Sequence, residues 1–329
     1  MELSAFSVVD AYPEGVGQGR DRYGELLALA ETADRAGLSA FWVAEHHFHP
    51  GGLCPSPPVV LAAAGARTRR IRLGCLVCVL PFHAPVEVAE TYGLLDELIG
   101  GRLNFGVGSG YIPLEFEGFG VDPATKRERF DEALPIILAG MAGEPVPAPR
   151  AAGGQVRLNV RPRQRPHPPI WIAAQRREAL PYIARRGASL ALVPYATVTG
   201  LEELADEIRE FRSAMRAGSH PKVSVALHLY AGDRLPEARS ALQRYLDSRL
   251  ASQSTFYQAK VQKDPRHASA AAIEESGFAV FGSADEVAKR LTAFERAGVD
   301  EVLGIFDFGG LPEAEVRRSV ESLGSVWRR

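Results

Sequence analysis

The sequence predicts a closed parallel (β/α)8 barrel. Short β-rich runs alternate with amphipathic stretches of helical period, and eight such pairs follow one another along the 329 residues. The third β-rich run, 71–80, is almost continuously apolar, as a parallel strand buried on both faces requires. Eight alternating units without a half-way reversal favour a closed α/β barrel over an open doubly wound sheet. We therefore expect the whole chain, 1–329, to form one barrel domain.

The first four units are clearly delimited by glycine and proline. Strands are predicted at 3–9, 41–43, 71–80 and 101–108, and helices at 20–36, 56–68, 85–99 and 126–141. The first helix has apolar residues three and four positions apart and ends at Gly37, while prolines introduce the second. In the fourth helix, Phe130, Leu134 and Ile137 lie on one apolar side.

The last four units contain two interruptions. Strands are predicted at 170–174, 188–193, 222–231 and 301–306, and helices at 177–186, 201–217, 236–251, 284–297 and 312–327. Ser283 and Glu286 form a capping box at the start of the helix 284–297. The proline-rich insertion 142–169 is expected to hold one exposed strand, at 155–160. The polar insertion 252–282, which has no clear strand, is predicted to be helical or a mobile lid.

The composition of the chain limits the kinds of molecule that it is expected to bind. The chain has 46% hydrophobic and 24% charged residues, and its formal net charge of −2 gives no basic surface for nucleic acid or an anionic membrane. A small-molecule substrate is favoured. Three cysteines, an odd number, and a start without a basic, long apolar leader favour the reducing cytoplasm. No apolar run approaches the roughly 20 residues of a membrane helix.

The carboxyl ends of the strands are where a barrel of this kind carries its site. Directly after the second strand comes Glu45, followed by His46, His47 and His49. His47 and His49 taken singly can be hydrogen-bonded structural residues, but three histidines beside a carboxylate suggest chemistry. A zinc or iron site is the competing functional interpretation, which we disfavour because no second ligand set is obvious at the other strand ends.

Three further strand ends have features of a binding site. The glycine-rich turn 106–111 can direct N–H groups at a phosphate, although a tight strand-to-loop turn explains it equally well. The run 173–177 enters a helix with arginines, which forms either a second anion site or a solvated helix start. Leu76 and Val77 offer apolar surface for a flat ring, or belong to the barrel core.

In combination, these motifs resemble the bacterial luciferase-like, flavin-dependent monooxygenase family over nearly the whole chain. The resemblance rests on FWVAEHHF at 41–48, IRLG at 71–74 running to LP at 80–81, HAPVEVAE at 83–90, LDEL at 95–98, GRLNFGVG at 101–108, RFDEAL at 129–134 and DFGGLP at 307–312. The last motif is similar to members of secondary-metabolite pathways. Agreement of so many motifs in this order is not expected by chance.

The resemblance implies that reduced FMN lies over the barrel mouth. His46 matches the active-site histidine of the family, and Leu76–Val77 matches its non-prolyl cis peptide. The remaining residues implied to bind the cofactor are Glu45, Ser109, Gly110, Tyr111, Ala174, Gln175 and Arg176. Gln175 and Arg176 depart from the small residues of many members, although Arg176 suits a dianion. Luciferases proper carry a reactive cysteine where this chain has Gly108.

The chemistry implied is monooxygenation through a flavin C4a-peroxide, with His46 moving a proton. No dinucleotide fingerprint opens the first β/α unit, so a separate NAD(P)H-dependent flavin reductase is expected to supply reduced FMN. A homodimer is implied by the family. The alternatives are a deazaflavin-dependent hydride-transfer enzyme, a non-catalytic flavin-binding protein and a metal-dependent hydrolase. The residues do not identify the substrate, which can be free or carrier-bound. The shape of its pocket is expected to depend on 11–19, 252–282 and 309–312.

Overall fold

The computed structural model describes residues 1–11, 19–148, 150, 153–251 and 255–327. Its strands, in chain order, are β1 (Glu2–Ser7), β2 (Ala40–Val43), β3 (Arg72–Val79), β4 (Leu103–Gly108), β5 (Val146–Pro147), β6 (Gln155–Val156), β7 (Ile170–Ala174), β8 (Ser189–Leu192), β9 (Val223–Ala231), β10 (Ala279–Gly282) and β11 (Glu301–Ile305). Its α-helices are α1 (Arg22–Ala36), α2 (Pro57–Arg67), α3 (Pro85–Leu98), α4 (Pro113–Phe119), α5 (Lys126–Ala142), α6 (Leu180–Arg186), α7 (Leu201–Ser213), α8 (Leu235–Ala251), α9 (Thr255–Lys263), α10 (Ala270–Glu275), α11 (Ala284–Arg296) and α12 (Glu313–Trp327).

Eight of these strands form a closed parallel barrel in the order β1, β2, β3, β4, β7, β8, β9 and β11, with β11 pairing back onto β1. The register at closure joins Leu3 to Val302, while Leu190 pairs with Val223 at the junction of β8 and β9. All eight predicted barrel strands are present, so the predicted (β/α)8 fold is confirmed. Because the strands are parallel, all their carboxyl ends lie at the same mouth.

A network of buried polar groups lies inside the barrel, near the amino ends of the strands. The carboxylate of Glu301 accepts hydrogen bonds from Ser4 (2.5 Å), Ser224 (2.7 Å) and the Trp42 indole (3.2 Å). Gly74 lies against this Trp42 ring, and a Cβ at Gly74 would come within 2.2 Å of it. Hydrogen bonding and close packing therefore fill this end of the barrel, which leaves space for a ligand only towards the carboxyl-end mouth.

The structure corrects the sequence-based boundaries in several places, among them the end of α7, which is Ser213 and not 217. The insertion 252–282 holds a strand, β10, that the sequence analysis missed. This strand pairs in parallel with the carboxyl-terminal half of β9. Residues 252–254 of the insertion lie outside the described residues; after them come α9 and α10, as expected of a helical insertion. The strand expected at 155–160 is only the two residues of β6, paired antiparallel to β5. Helix α6 begins at Leu180 after a 3-10 turn, three residues later than predicted.

Helix α4 is also absent from the sequence-based assignment. It is seven residues long, begins at Pro113 and ends before Gly120, which has the left-handed φ of 63°. So short a segment does not complete the two turns needed to show a helical period. Its position directly after β4 nevertheless places it at the barrel mouth.

The predicted capping box of Ser283 and Glu286 at the start of α11 is present.

Within the described residues, none of the helices combines the length and the apolar character needed to cross a membrane.

A buried ion cluster ties β1 to β11 just beyond their carboxyl ends. The Arg22 guanidinium donates to Asp307 Oδ2 at 2.8 Å and lies 3.5 Å from Asp10 Oδ1, and Ser7 also donates to Asp307 at 2.6 Å. Burial raises the pKa of Asp10 to about 6, against the opposing charge of Arg22. Both carboxylates are less than a tenth exposed, so Arg22 is needed to compensate them.

We predict that Arg22→Met lowers the free energy of unfolding by about 3–5 kcal/mol, because it leaves two buried carboxylates without their cation. Urea unfolding followed by circular dichroism measures the change. The matched control is Arg67→Met, whose partner Glu31 lies 4.0 Å away at the surface; that change is expected to stay within about 0.5 kcal/mol. Equal destabilisation by the two variants would contradict this account of the cluster.

Candidate active site

A cavity of about 410 Å³ lies at the barrel mouth, where ligand sites of this fold are expected. Its wall is built from the ends of β2, β3, β4, β7 and β8, together with parts of α4, α5, α8 and α9. All ten residues that the sequence analysis proposed for the site line this one cavity. They are Glu45, His46, Leu76, Val77, Ser109, Gly110, Tyr111, Ala174, Gln175 and Arg176.

His46 is held by a carboxylate that the sequence analysis did not propose. Its Nδ1 lies 3.0 Å from Oε1 of Glu115, on the missed helix α4. Burial raises the pKa of Glu115, but hydrogen bonds from His46 and His49 outweigh this effect and lower the pKa to about 2. An ionised carboxylate can only accept, so Nδ1 of His46 carries the hydrogen, and in the neutral ring Nε2 is left as the proton acceptor.

The same carboxylate oxygen organises the neighbouring loop. Oε1 of Glu115 also accepts from the backbone N–H of His47 at 3.0 Å and from Nε2 of His49 at 3.2 Å. His49 in turn accepts the N–H of Gly51 at Nδ1, 3.0 Å away, which fits a neutral imidazole. His49 therefore has the structural role that the sequence analysis left open, and one oxygen fixes the loop that carries His46.

Glu45 is the centre of a second cluster of hydrogen bonds. Its Oε1 lies 2.7 Å from Nε2 of His83 and 3.1 Å from Nε2 of His47, and its Oε2 accepts from the N–H of Val79 at 3.2 Å. Burial raises the pKa of Glu45, but the two histidines lower it below the ordinary value. Glu45 is thus an anion at the cavity wall. It is stabilised by the backbone N–H of Val79 at the end of β3 and by the two histidines.

The wall formed by β3 is apolar. The peptide bond between Leu76 and Val77 is cis, as the resemblance implied, and both side chains line the cavity. Across from them, a Cβ at Gly108 would approach Val77 Cγ2 to 2.5 Å. A cysteine at position 108, as in luciferases proper, does not fit beside this valine unless the valine moves.

Basic residues gather where β4 and β7 end. Lys126 donates to the carbonyl of Gly110 at 3.2 Å, and the nearby charge of Arg176 adds to burial in lowering the pKa of Lys126. Arg127 also lines the cavity, but its guanidinium lies over the Tyr182 ring, 3.4 Å from the centroid, and pairs with Asp131. In the described part of the chain, Arg176 forms no ion pair with a carboxylate, so it can meet an anion from outside.

Another part of the wall is aromatic and was not predicted from the sequence. Tyr195, Tyr245 and Tyr257 line the cavity and are each less than a tenth exposed. Arg249, on α8, reaches the cavity beside them and donates to the hydroxyl of Tyr111 at 2.6 Å. The sequence analysis expected 11–19, the insertion 252–282 and the turn 309–312 to shape the pocket.

Those three expectations have different outcomes. Residues 12–18 lie outside the described residues. The insertion does contribute, through Tyr257 of α9. The turn 309–312 does not line the cavity, because Gly310 and Leu311 instead border a separate surface pocket with Tyr230 and Arg234.

Two groups of side chains have the geometry of a metal site. Glu45, Cys78 and His83 form one, and His46, His49 and Glu115 the other, with ligand atoms within 4.8 Å of one another. In both groups the imidazoles already donate to the carboxylate. Burial also raises the pKa of Cys78 well above its ordinary value, which opposes formation of a thiolate ligand. Hydrogen bonding explains both groups, and the absence of a metal stays a prediction.

The sequence profile of the luciferase-like monooxygenases matches residues 1–301. The chain belongs to the luciferase-like monooxygenase family. An uncharacterised protein of Sinorhizobium fredii is 39% identical over 59% of this luciferase-like chain, which spans 57% of that relative's length. The oxygenase component of a flavin-dependent trigonelline monooxygenase from Acinetobacter baylyi is 26% identical, with 87% of this chain and 84% of the relative covered.

Solved structures of similar proteins share the luciferase-like barrel. Monooxygenase RslO1 of Streptomyces bottropensis superposes with a TM-score of 0.83 at 26% identity, covering 99% of this chain and 98% of its own. The oxygenating constituent of a 3,6-diketocamphane monooxygenase of Pseudomonas putida, in complex with FMN, gives 0.78 at 20% identity, with 98% and 96% covered. An F420-dependent secondary alcohol dehydrogenase gives 0.76 at 18% identity, with 99% and 97% covered. The last two likenesses concern the fold alone, and both cofactor classes occur on it.

The main residue missed by sequence reasoning in this luciferase-like site is Glu115. The signal for it was weak, because a lone glutamate seven residues after a strand resembles any surface carboxylate. Lys126, Arg127 and Arg249 were also missed. Lys126 and Arg127 lie at the start of a helix that was correctly predicted. The sequence did not show that this end of the helix lies at the barrel mouth.

We predict that Glu115→Gln lowers the thermal unfolding midpoint at neutral pH, and that this difference shrinks as the pH falls. The folded-state pKa of Glu115, about 2, lies below that of an unfolded glutamate. Its stabilisation is therefore present above the unfolded value of about 4.3 and is lost as the pH falls through the folded value. The measurement is calorimetry between pH 7 and acid. Glu117→Gln, an exposed neighbour on α4, should show no comparable pH-dependent loss.

Proposed function

We propose that the protein is an FMN-dependent monooxygenase that uses reduced FMN and O2 to oxidise a small organic substrate. The observation that supports this most directly is the composition of one cavity. It combines a flat apolar wall, a cationic corner and a histidine whose tautomer is fixed by a buried carboxylate. These are the three features that binding a phosphorylated flavin and moving a proton require.

The residues present fit FMN. Ser109 and the glycine turn at Gly110, whose φ of 77° allows the backbone to approach a ligand closely, lie beside Lys126 and Arg176. Two cations beside a glycine turn suit a phosphate dianion. Leu76 and Val77 provide the apolar surface that a flat ring system needs, with Ala174 and Gln175 completing the wall near the phosphate corner. When bound, reduced FMN supplies the two electrons with which O2 is activated.

His46 would move the proton of the reaction. Burial lowers the pKa of His46, against the opposing pull of Glu115, so the ring is neutral at neutral pH. With Nδ1 committed to Glu115, Nε2 can accept a proton from a group in the cavity and later return it. Glu115 positions the ring, and Glu45 keeps a negative charge at the wall nearby.

A separate NAD(P)H-dependent flavin reductase is the proposed partner. The chain has no dinucleotide fingerprint, and the trigonelline relative is named as an oxygenase component, which implies a second component in that system. We also propose a reducing, cytoplasmic location, because the three cysteines are free and buried.

A homodimer is proposed through α2 and α3. These helices pack against each other and expose Val59 (68%), Leu94 (49%) and Leu98 (68%). Leu94 and Leu98 are four positions apart and therefore lie on one face of α3, and exposed apolar side chains of this kind are typical of a subunit interface.

We predict that Arg176→Met weakens FMN binding about tenfold but leaves riboflavin binding unchanged, because only FMN carries the phosphate. Fluorescence titration with the two flavins measures both affinities. The control is Arg177→Met, since Arg177 pairs with Glu210 at 2.6 Å and does not line the cavity. A parallel loss of riboflavin binding would show that Arg176 does not act through the phosphate.

The function is tested by anaerobic titration with reduced FMN, followed by rapid mixing with O2 and labelled-oxygen analysis of products from a substrate panel. We expect incorporation of one oxygen atom, reduced by about 10²- to 10⁴-fold in His46→Ala, and retained in the exposed control His220→Ala. Tight binding of deazaflavin with hydride transfer and no use of O2 would replace the proposal with the dehydrogenase. Binding of neither cofactor would refute both.

Leu94→Glu combined with Leu98→Glu is expected to convert the dimer to a monomer, since burying two carboxylates in an apolar interface is strongly unfavourable. Analytical ultracentrifugation gives the mass. Glu97→Gln on the same helix, which adds no charge, should leave the dimer intact. A wild-type monomer would remove the proposed interface.

A further inference from the structure

The aromatic wall and Arg249 form a part of the cavity that the flavin phosphate does not require. Lys126 and Arg176 lie where β4 and β7 end, whereas Arg249 comes from α8 and reaches the loop after β2. Its Nη1 donates to the carbonyl of Gly51 at 2.9 Å. Lys126 and Arg176 already supply two cations for one phosphate, so the phosphate does not account for Arg249.

Arg249 places a permanent positive charge at the cavity and polarises a hydroxyl group. Its Nη2 donates to the hydroxyl oxygen of Tyr111 at 2.6 Å. A phenol oxygen that accepts a hydrogen bond retains its own hydrogen to donate. Because Tyr111 lines the cavity, that hydrogen is available to an oxygen atom of a ligand. Tyr111 also lies edge-on to His46, with 6.2 Å between ring centroids, so such a ligand would lie near the proton-transfer group.

The tyrosines beside this cation are held in place by contacts with one another and with two histidines. The hydroxyls of Tyr195 and Tyr245 are 3.4 Å apart, and the His228 ring packs edge-on behind both tyrosines. Tyr257 donates to the carbonyl of His267, and Nδ1 of His267 lies 2.7 Å from the carbonyl of Tyr195. Tyrosine rings that are fixed in this way can contact a planar aromatic group without further ordering.

We propose that Arg249, Tyr111 and the three-tyrosine wall bind a planar aromatic substrate that carries an anionic oxygen, a carboxylate or a phenolate. The guanidinium and the Tyr111 hydroxyl hold the anion, and Tyr195, Tyr245 and Tyr257 contact the ring system. This inference rests on the proposed monooxygenase function, for which it names the substrate class. Arg249 and Tyr111 are then determinants of specificity, which gives Tyr111 a role other than the flavin binding that the resemblance implied.

The test uses the full chain loaded with oxidised FMN, titrated calorimetrically with 2-naphthoate and with 2-naphthamide, which has the same shape without the charge. We expect naphthoate to bind at least tenfold more tightly. Arg249→Met should abolish that preference, and Tyr111→Phe, a smaller change that preserves the ring, should weaken naphthoate about threefold to tenfold while leaving naphthamide unaffected. Titration with 2-naphtholate then distinguishes a phenolate from a carboxylate preference.

Arg244→Met is the matched control, because Arg244 lies on the same helix but donates to the carbonyl of Gly309 outside the cavity. It should retain the preference for naphthoate. Equal binding of the two probes, or binding of neither, would overturn the proposal. So would a loss of FMN affinity in Arg249→Met with the naphthoate preference intact, since Arg249 would then serve the flavin.

A separate titration with FMN keeps the two proposals distinguishable. If FMN does not bind, but the flavin-free protein prefers naphthoate in an Arg249-dependent way, the monooxygenase proposal fails while the aromatic-anion site stands. If FMN binds and naphthoate does not, the function stands and the substrate class is wrong.

Discussion

Closure of the parallel sheet is the constraint on which the rest of the molecule depends. Because β11 pairs back onto β1, the carboxyl ends of all eight barrel strands converge on one mouth. The amino-terminal end is filled by the hydrogen bonds of Glu301 and by Trp42, so among the described residues the barrel interior has room for a ligand only at that mouth. The pairing of the strands therefore brings the site residues together, although several consecutive strand ends are 30 or more positions apart in the sequence.

Within the mouth, two buried carboxylates organise the histidine-rich loop after β2. Glu115 fixes His46 and His49 from one side, and Glu45 contacts His47 and His83 from the other. The cost of burying each carboxylate is offset by three hydrogen bonds, which is why removing one partner is expected to affect orientation as well as stability. The loop is thereby preorganised, and a histidine held this way can exchange a proton without rearrangement.

Positive charge lies at two separate places along the cavity wall. Lys126 and Arg176 provide positive charge at the end of β4 and β7, and Arg249 provides it beside the tyrosines. We propose the first group for the flavin phosphate and Arg249 for the substrate. The two proposals together assign the cofactor phosphate and the substrate anion to different cations of one cavity.

The sequence by itself determined the barrel, its eight strands, the family and ten residues of the cavity wall, because hydrophobic period and short motifs are local properties. It missed β10, whose four residues become a strand only by pairing with β9, and α4, which is too short to show a period. Glu115, Arg249 and the tyrosine wall were decided by the tertiary structure alone. Their importance lies in contacts across 50 to 200 positions, and no local pattern records which distant side chain a carboxylate or guanidinium will meet.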